Sequence, residues 1–200
     1  MKNSLAILVC FALGAAGGAL HALPSWLQHP QALYAALIAL LFLVGLSVGG
    51  SPRTWEMVRR MNARIILIPG TIVLGTLIGV SLVAPLLADV SLRDALAVGS
   101  GLGYYSLSSI LITELHGERL GVIALLANVM REVLTLLLAP LLVRYLGKLA
   151  PIAAGGATSM DTTLPVVTRF SGPEYTTLAV FSGLVLMVLV PFLVTLILNV

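Results

Sequence analysis

The sequence predicts an all-α integral membrane protein with about five transmembrane helices and two broken or re-entrant helical segments. Of its 200 residues, 59% are hydrophobic and 10% are charged, and the mean hydropathy is +1.09. An ordinary soluble domain carries about 25% charged residues. Apolar stretches of about 20 residues, the length that crosses a bilayer as a helix, follow one another along the chain. Two stretches are interrupted by glycines and hydroxyl residues, which indicates broken helices.

Composition also excludes several classes of function. With three histidines and the single Cys10, the chain lacks the ligands of a zinc finger and the partner for an internal disulfide. The net charge of +3 comes from basic residues in predicted loops, so membrane topology explains it better than nucleic-acid binding does. His21, His29 and His116 fall at predicted helix ends or loops, so no intramembrane serine has a base within reach and an enzyme is not indicated. We expect no cofactor and no metal.

Five segments are long and apolar enough to cross a bilayer on their own. They are 4–22, 32–48, 64–84, 122–143 and 177–198. The first segment is also compatible with a secretory signal peptide, but a membrane region follows it and no soluble domain needs delivery, so we expect a retained helix. We expect one transporter domain, with two N-terminal helices and a basic loop in 1–62 and the transporter core in 63–200.

Two further segments are apolar but irregular. Segment 95–113 contains three glycines followed by three serines, and segment 150–168 contains two glycines, several hydroxyl residues and Asp161. A uniform helix facing lipid would expose these groups, whereas broken backbone is tolerated against protein or a water-filled cavity. We therefore expect discontinuous helices or re-entrant hairpins, with seven full crossings as the alternative.

The distribution of basic residues predicts how the chain is oriented in its membrane. The loop 51–62 carries Arg53, Arg59 and Arg60, whereas the connection 24–30 has no lysine or arginine. Because cytoplasmic loops are enriched in basic residues, the N-terminus is predicted to be cytoplasmic and the C-terminus external.

The two halves of the core repeat one pattern in opposite orientation. Span 64–84 precedes broken segment 95–113, and span 122–143 precedes broken segment 150–168. If both broken segments are re-entrant, the first enters from outside and the second from inside. Inverted pairs of this kind, with interrupted helices that meet near the midplane, form the substrate sites of many secondary transporters.

Glu132 lies in the middle of the predicted span 122–143. A carboxylate at that depth costs several kcal/mol unless it has a partner, water or a substrate, so a functional role is favoured. Asn128 and Thr135 share its helix face, whereas Arg131 points about 100° away. The alternative is a packing contact, with Arg131 or a hydroxyl residue, that holds helices together.

Asp161 is the second acid within a predicted membrane segment. Two acids near one cavity could bind an ammonium group and exchange protons, because burial and crowding favour a carboxyl group that holds its proton. The alternative for Asp161 is to cap a half-helix. Other residues that could complete the site with hydrogen bonds or a cation–π face are Tyr104, Ser106, Ser108, Ser159 and Thr162. The alternative for Tyr104 is interfacial packing.

Several stretches together resemble the LysO family of bacterial lysine exporters. They are LLFLVGLSVG ahead of the arginine-rich loop, GSGLGYYSLSSILITE, LLANVMREVLTLLLAPLL and GGATSMDTTLPVVTR, in that order. The resemblance covers nearly the whole chain. It implies export of L-lysine and of analogues such as thialysine across the bacterial inner membrane, with the family's two functional intramembrane acids at Glu132 and Asp161. Since two such acids could also exchange protons, we expect proton antiport.

The resemblance also implies a partner. Family members known as one long chain carry an additional N-terminal group of helices ahead of the region that resembles this chain. Either a small companion membrane subunit supplies those helices or the chain assembles with itself. Two alternatives to lysine export stay open, namely export of arginine or another cationic amino acid, and a non-transporting subunit of a two-component complex.

Overall fold

The computed structural model describes residues 63–87 and 89–199, apart from the side chains of 63–66, and a few separate positions between 35 and 50. The chain divides into two compact units, Met1–Gly50 and Ser51–Val200. The described part of the second unit is helical and contains no strand, so the all-α fold class is confirmed. The predicted spans 4–22 and 32–48 and the basic loop 51–62 lie outside the continuously described residues.

Seven α-helices follow one another between residues 63 and 199. They are α1 (Ala63–Val83), α2 (Leu92–Gly99), α3 (Tyr105–His116), α4 (Glu118–Leu146), α5 (Ala150–Gly155), α6 (Leu164–Ser171) and α7 (Thr176–Asn199). Short 3-10 turns at Ala84–Leu86, Gly156–Met160 and Pro173–Tyr175 connect some of them.

Three helical stretches in the described part are long and apolar enough to cross a membrane. They are Leu67–Leu86, Glu118–Leu146 and Pro173–Asn199. These stretches coincide with the predicted spans 64–84, 122–143 and 177–198, which are thereby confirmed. Prolines inside α1, α4 and α7 do not end these helices.

The helices α2 and α3 form a hairpin, called hairpin 1, whose tip is residues 100–104. Asp94 lies in the first turn of α2 and His116 in the last turn of α3, and their Oδ1 and Nε2 atoms are 3.0 Å apart. The two ends of the segment are therefore adjacent, at what we call the first face of the molecule. A segment that starts and ends at one face is re-entrant, so the geometry favours the re-entrant prediction over a full crossing.

The helices α5 and α6 form hairpin 2, whose tip is residues 156–163. Lys148, just before α5, and Glu174, just after α6, form an ion pair with Nζ and Oε1 3.3 Å apart. This pair marks the second face, and α4 separates it from the first face by 29 residues, about 43 Å of helix. The two hairpins therefore enter the molecule from opposite faces.

The tips of the two hairpins meet inside the molecule. The backbone N–H of Ala157 in tip 2 donates a 2.8 Å hydrogen bond to the carbonyl of Leu102 in tip 1. A long helix followed by a hairpin, repeated once in opposite orientation, is the inverted arrangement that the sequence predicts. The last helix, α7, packs against both hairpins.

Small residues allow the elements to approach closely. A methyl group at Gly183 on α7 would lie 2.8 Å from the carbonyl oxygen of Ala157, and one at Gly121 on α4 would lie 3.0 Å from the carbonyl oxygen of Ser109 on α3. Lipid tails are as apolar as the helix surfaces, so the burial of apolar surface does not drive helices together in a membrane. Close van der Waals packing of this kind stabilises the helix contacts instead.

Candidate functional site

The contact between the two tips, called the junction, consists of Leu102 and Gly103 against residues 155–157. Leu102 is fully buried with φ 48°, an unusual backbone conformation for a side chain with a β-carbon. Gly156 has φ 63°, and a β-carbon there would lie 2.2 Å from the carbonyl oxygen of Leu102. Backbone held in sparsely populated conformations tends to mark functional sites, so the junction is a candidate for one.

Asn128 on α4 holds the first tip in place. Its Nδ2 group donates to the carbonyl of Val98, at 3.1 Å, and to the carbonyl of Ala124, at 2.9 Å. Its Oδ1 atom accepts from the backbone N–H of Gly103 at 2.8 Å. The carbonyl of Val98 belongs to the last turn of α2 and also accepts from the backbone N–H of Gly101 at 3.2 Å.

Arg131, one turn further along α4, holds hairpin 2 in the same manner. Its Nε group donates to the carbonyl of Ala154 at 2.7 Å, and its Nη2 group donates to that of Ala153 at 2.9 Å. Both carbonyls lie in the last turn of α5. A cation at a helix C-terminus also interacts favourably with the helix dipole. Neither Asn128 nor Arg131 pairs with Glu132.

Four of the predicted site residues line a cavity at the junction, called the acid cavity. Its volume is about 120 Å³, and it lies between tip 1, tip 2 and α7. The four residues are Tyr104, Ser106, Asp161 and Thr162. The structure thus brings hydroxyl groups of hairpin 1 to the carboxylate of hairpin 2, from segments more than fifty residues apart in the chain.

Asp161 is exposed to the acid cavity. Its Oδ1 atom accepts from the backbone N–H of Thr162 at 2.6 Å and from the Thr162 hydroxyl at 3.3 Å. Asp161 does not cap α6, which was its alternative role. The N-cap residue is Thr163, and no side chain caps the first turn of that helix. The other carboxylate oxygen of Asp161 makes no hydrogen bond with a described residue.

The sequence predicts that both acids share a cavity, but the structure places Glu132 away from the acid cavity. It is partly buried in the middle of α4, and it lines neither the acid cavity nor the larger cavity described below. Asn128 and Thr135, which share its helix face, are 3% and 2% exposed. The polar face of α4 therefore turns inward as predicted, and Glu132 lies at its margin because Arg131 and Asn128 occupy the contact with the hairpins.

Two further predicted residues are buried without reaching a cavity. The Ser159 hydroxyl donates within tip 2 to the carbonyl of Gly156, at 2.7 Å, and lies 3.0 Å from the carbonyl of Ala179 on α7. The Ser108 hydroxyl lies 3.4 Å from the carbonyl of Tyr105 in its own helix. Ser159 thus attaches tip 2 to α7, and Ser108 satisfies its hydroxyl within α3.

A larger cavity of about 630 Å³ lies between α1, α2 and α4. It extends from Leu87 and Val90, in the connection at the first face, to Thr76, Asn128 and Arg131 at mid-length of α4. Its walls are otherwise apolar or glycine. We call it the vestibule, since it leads from one face to the junction.

The chain has clear relatives among known proteins. A family model described as "Lysine exporter LysO" matches residues 8–198. The chain belongs to the LysO family. Its sequence is 36% identical over 189 residues to the lysine exporter LysO of Escherichia coli, a match that covers 94% of this chain and 60% of that relative. It is 34% identical over 170 residues to a putative lysine exporter of Haemophilus influenzae, covering 84% of this chain and 85% of that relative.

The chain thus spans about three fifths of the length of the Escherichia coli LysO protein. No solved structure matches the chain. Among the described residues of this LysO-family chain, no cluster of histidine, cysteine, aspartate or glutamate could hold a metal ion.

Sequence reasoning missed several residues of the candidate site. Met160 and Met187 line the acid cavity, and nothing in an apolar pattern distinguishes them from packing residues. Thr158, also in that lining, donates to the carbonyl of Gly155 at 3.0 Å. Thr76 lines the vestibule 3.5 Å from Arg131 Nη2. Its signal was a hydroxyl residue at mid-length of an apolar span, between Gly75 and Gly79 of α1.

Proposed function

We propose that this protein is a secondary transporter that exports L-lysine and close analogues from the bacterial cytoplasm by proton antiport. One observation carries the proposal: the carboxylate of Asp161 faces a cavity where two oppositely directed hairpins meet, in a member of the LysO family. Interrupted helices that meet at the midplane form the substrate sites of many secondary transporters. The names of both relatives identify them as lysine exporters or putative ones.

Asp161 is the group that binds a substrate ammonium. Its carboxylate has one oxygen engaged by Thr162 and a second without a described partner. The hydroxyl groups of Tyr104 and Ser106 line the same cavity and can complete the coordination. An ammonium and a proton compete for one carboxylate, so substrate release on the outer side is coupled to protonation of Asp161.

The size of the acid cavity requires movement of the tips. A volume of about 120 Å³ corresponds to roughly four water molecules, at about 30 Å³ each. The cavity therefore admits an ammonium group but not a whole lysine. Passage of lysine requires the junction to open, and glycines at positions 103, 155 and 156 place no side chains in its way.

Glu132 is the second acid of the proposed proton path. It is at the middle of α4, one residue after Arg131, and makes no hydrogen bond or ion pair with a described residue. Intramembrane acids form the proton relays of many pumps and transporters. Because Glu132 does not line the acid cavity, we infer that it transfers protons and that Asp161 makes the direct contact with substrate.

The test is transport in proteoliposomes loaded with labelled lysine, under an imposed pH gradient. The chain is assayed alone and after purification from its native membrane, where a companion subunit stays attached. We expect lysine to leave the vesicles faster when the receiving side is acidic, and Glu132→Gln to abolish the acceleration while Glu118→Gln, at the exposed start of α4, leaves it unchanged. Equal competition by arginine would show a broader cationic exporter, and no flux in either preparation would favour a non-transporting subunit.

A further inference from the structure

Arg131 carries a permanent charge at mid-length of α4, where its side chain is partly buried. Its three acceptors, the carbonyls of Ala153 and Ala154 and the hydroxyl of Thr76, are all neutral. No ion pair joins Arg131 to a carboxylate among the described residues. The remaining part of the chain contains a single acidic side chain, Glu56.

An unpaired guanidinium at membrane depth is energetically costly. The partial negative charge at the C-terminus of α5 offsets part of this cost. A neutral residue such as glutamine could donate a hydrogen bond to a carbonyl of α5 without the cost of a buried charge. The charge of Arg131 therefore indicates an anionic ligand.

The vestibule gives such a ligand access to Arg131. It runs from the first face to Arg131 and Thr76 at its floor. Its volume of about 630 Å³ is within the range of small-molecule sites, about 300 to 1,000 Å³. Gly75 and Gly79 of α1 keep its wall open, because a β-carbon at either position would have no atom within 4 Å.

Arg131 also borders the junction, although it is not among the residues that line the acid cavity. A β-carbon at Gly156 would lie 3.3 Å from Nη2 of Arg131 and 2.2 Å from the carbonyl oxygen of Leu102. The next residue, Ala157, lines the acid cavity with Asp161. A guanidinium and a carboxylate thus flank the junction. An amino acid with a cationic side chain carries one group for each of them.

We propose that Arg131, supported by Thr76, binds the α-carboxylate of the transported amino acid at the floor of the vestibule. This assignment rests on the proposed lysine transport and adds a second recognition point to it. Arginine binds carboxylates through paired, charge-assisted hydrogen bonds, and the Nη1 group is not engaged by a described acceptor. A cationic compound without a carboxylate is then a poor ligand, and a lipid phosphate is excluded because it does not reach mid-membrane depth.

The test uses labelling of a cysteine in the vestibule, which does not require Arg131 to be changed. Gly79→Cys is introduced into a Cys10→Ser chain, and its reaction with a small methanethiosulfonate is followed in proteoliposomes. We expect lysine to slow the labelling, and pentane-1,5-diamine and lysinamide to require roughly tenfold or higher concentrations for the same effect, since a hydrogen bond to a charged group contributes about 1.5 to 3 kcal/mol. Gly70→Cys, on the same helix but outside the vestibule lining, is the control and should react equally with and without lysine.

A second measurement uses Arg131→Lys, which keeps the charge but loses the paired geometry. We expect this variant to reduce the advantage of lysine over the diamine as a competitor. Equal protection by the diamine and by lysine, or no protection by lysine in a preparation that transports it, would overturn the assignment of Arg131. Failure of the proposed function is seen separately, as absence of lysine flux in those vesicles.

Discussion

Asn128 and Arg131 are one helical turn apart on α4, yet each binds a different hairpin. Their acceptors include the carbonyl of Val98 for Asn128 and that of Ala154 for Arg131. Within lipid no water is present to form hydrogen bonds with the free backbone groups of a broken helix, so protein side chains have to provide those bonds. The two side chains therefore permit hairpins that would otherwise carry unpaired backbone groups at membrane depth.

Replacement of Asn128 by alanine should destabilise the protein by about 2 to 3 kcal/mol, because it leaves the carbonyl of Val98 and the N–H of Gly103 without that partner. The measurement is the midpoint of thermal unfolding in detergent. The control is Thr135→Val, which removes only a local bond to the carbonyl of Arg131 on the same helix face. Equal loss in both variants would contradict the role of Asn128 at the first tip.

Asp161→Asn should lower lysine flux at least about tenfold, as expected when a charge-paired contact of about 1.5 to 3 kcal/mol is lost. The fold should be kept, since the asparagine Oδ1 atom can still accept from the backbone N–H of Thr162. Flux in proteoliposomes and the unfolding midpoint are measured on the same preparation. Asp89→Asn, in the exposed connection at the first face, is the matched control. Unchanged flux in Asp161→Asn would remove this residue from the transport mechanism.

At the scale of the helices, hydropathy and glycine placement predicted much of the fold. Uninterrupted apolar length identified α1, α4 and α7, and clustered glycines and hydroxyl residues identified the two segments that break. The partners of the breaks could not be predicted, because Asn128 and Gly103 are 25 residues apart and Arg131 and Thr76 are 55 apart. Helix periodicity gives the face on which a residue lies, but not which element packs there.

The same limit explains the position of Glu132. Its depth in an apolar helix was readable from the sequence, and so was the shared face with Asn128. Whether Asp161 and Glu132 line one cavity depends on how hairpin 2 packs against α4. That packing is set by the hydrogen bonds from Arg131 to the carbonyls of α5. Intramembrane charge identified these residues, and tertiary contacts place Asp161 in the acid cavity, Arg131 in the vestibule and Glu132 in neither.

Gly156→Ala should separate the two tips and abolish transport. A β-carbon there would lie 2.2 Å from the carbonyl oxygen of Leu102, so the backbone has to move. Gly147→Ala is the matched control, since its φ is 89° and a β-carbon there would meet no atom within 4 Å. Both variants carry the cost of a left-handed residue, about 1 to 2 kcal/mol, but only the first meets a steric clash. Lysine flux at equal folded amount is the measurement, and equal flux in both variants would contradict a tight junction.

Across the described part of the molecule, polar contacts mark the two opposite faces from which the hairpins enter. Asp94 and His116 hold the ends of hairpin 1 together, and Arg93 beside them donates to the carbonyls of Ile197 and Leu198 at the end of α7. The first face therefore contains the ends of hairpin 1 and of α7. The basic residues of 51–62 predict that α1 starts inside, and therefore that this face is external and the Lys148–Glu174 pair cytoplasmic.

Cysteine labelling in intact cells tests this topology against seven full crossings. Single cysteines replace Asp89, Glu118, Lys148 and Glu174 in a Cys10→Ser chain, all at exposed positions. Both topologies place Asp89 outside and Glu174 inside, so these two positions are the references. They differ at the ends of α4: with re-entrant hairpins Glu118→Cys reacts with a membrane-impermeant maleimide and Lys148→Cys does not, whereas full crossings exchange the two results. Loss of the exposed Lys148–Glu174 pair should contribute at most about 1 kcal/mol, so these variants should fold and their labelling should report topology.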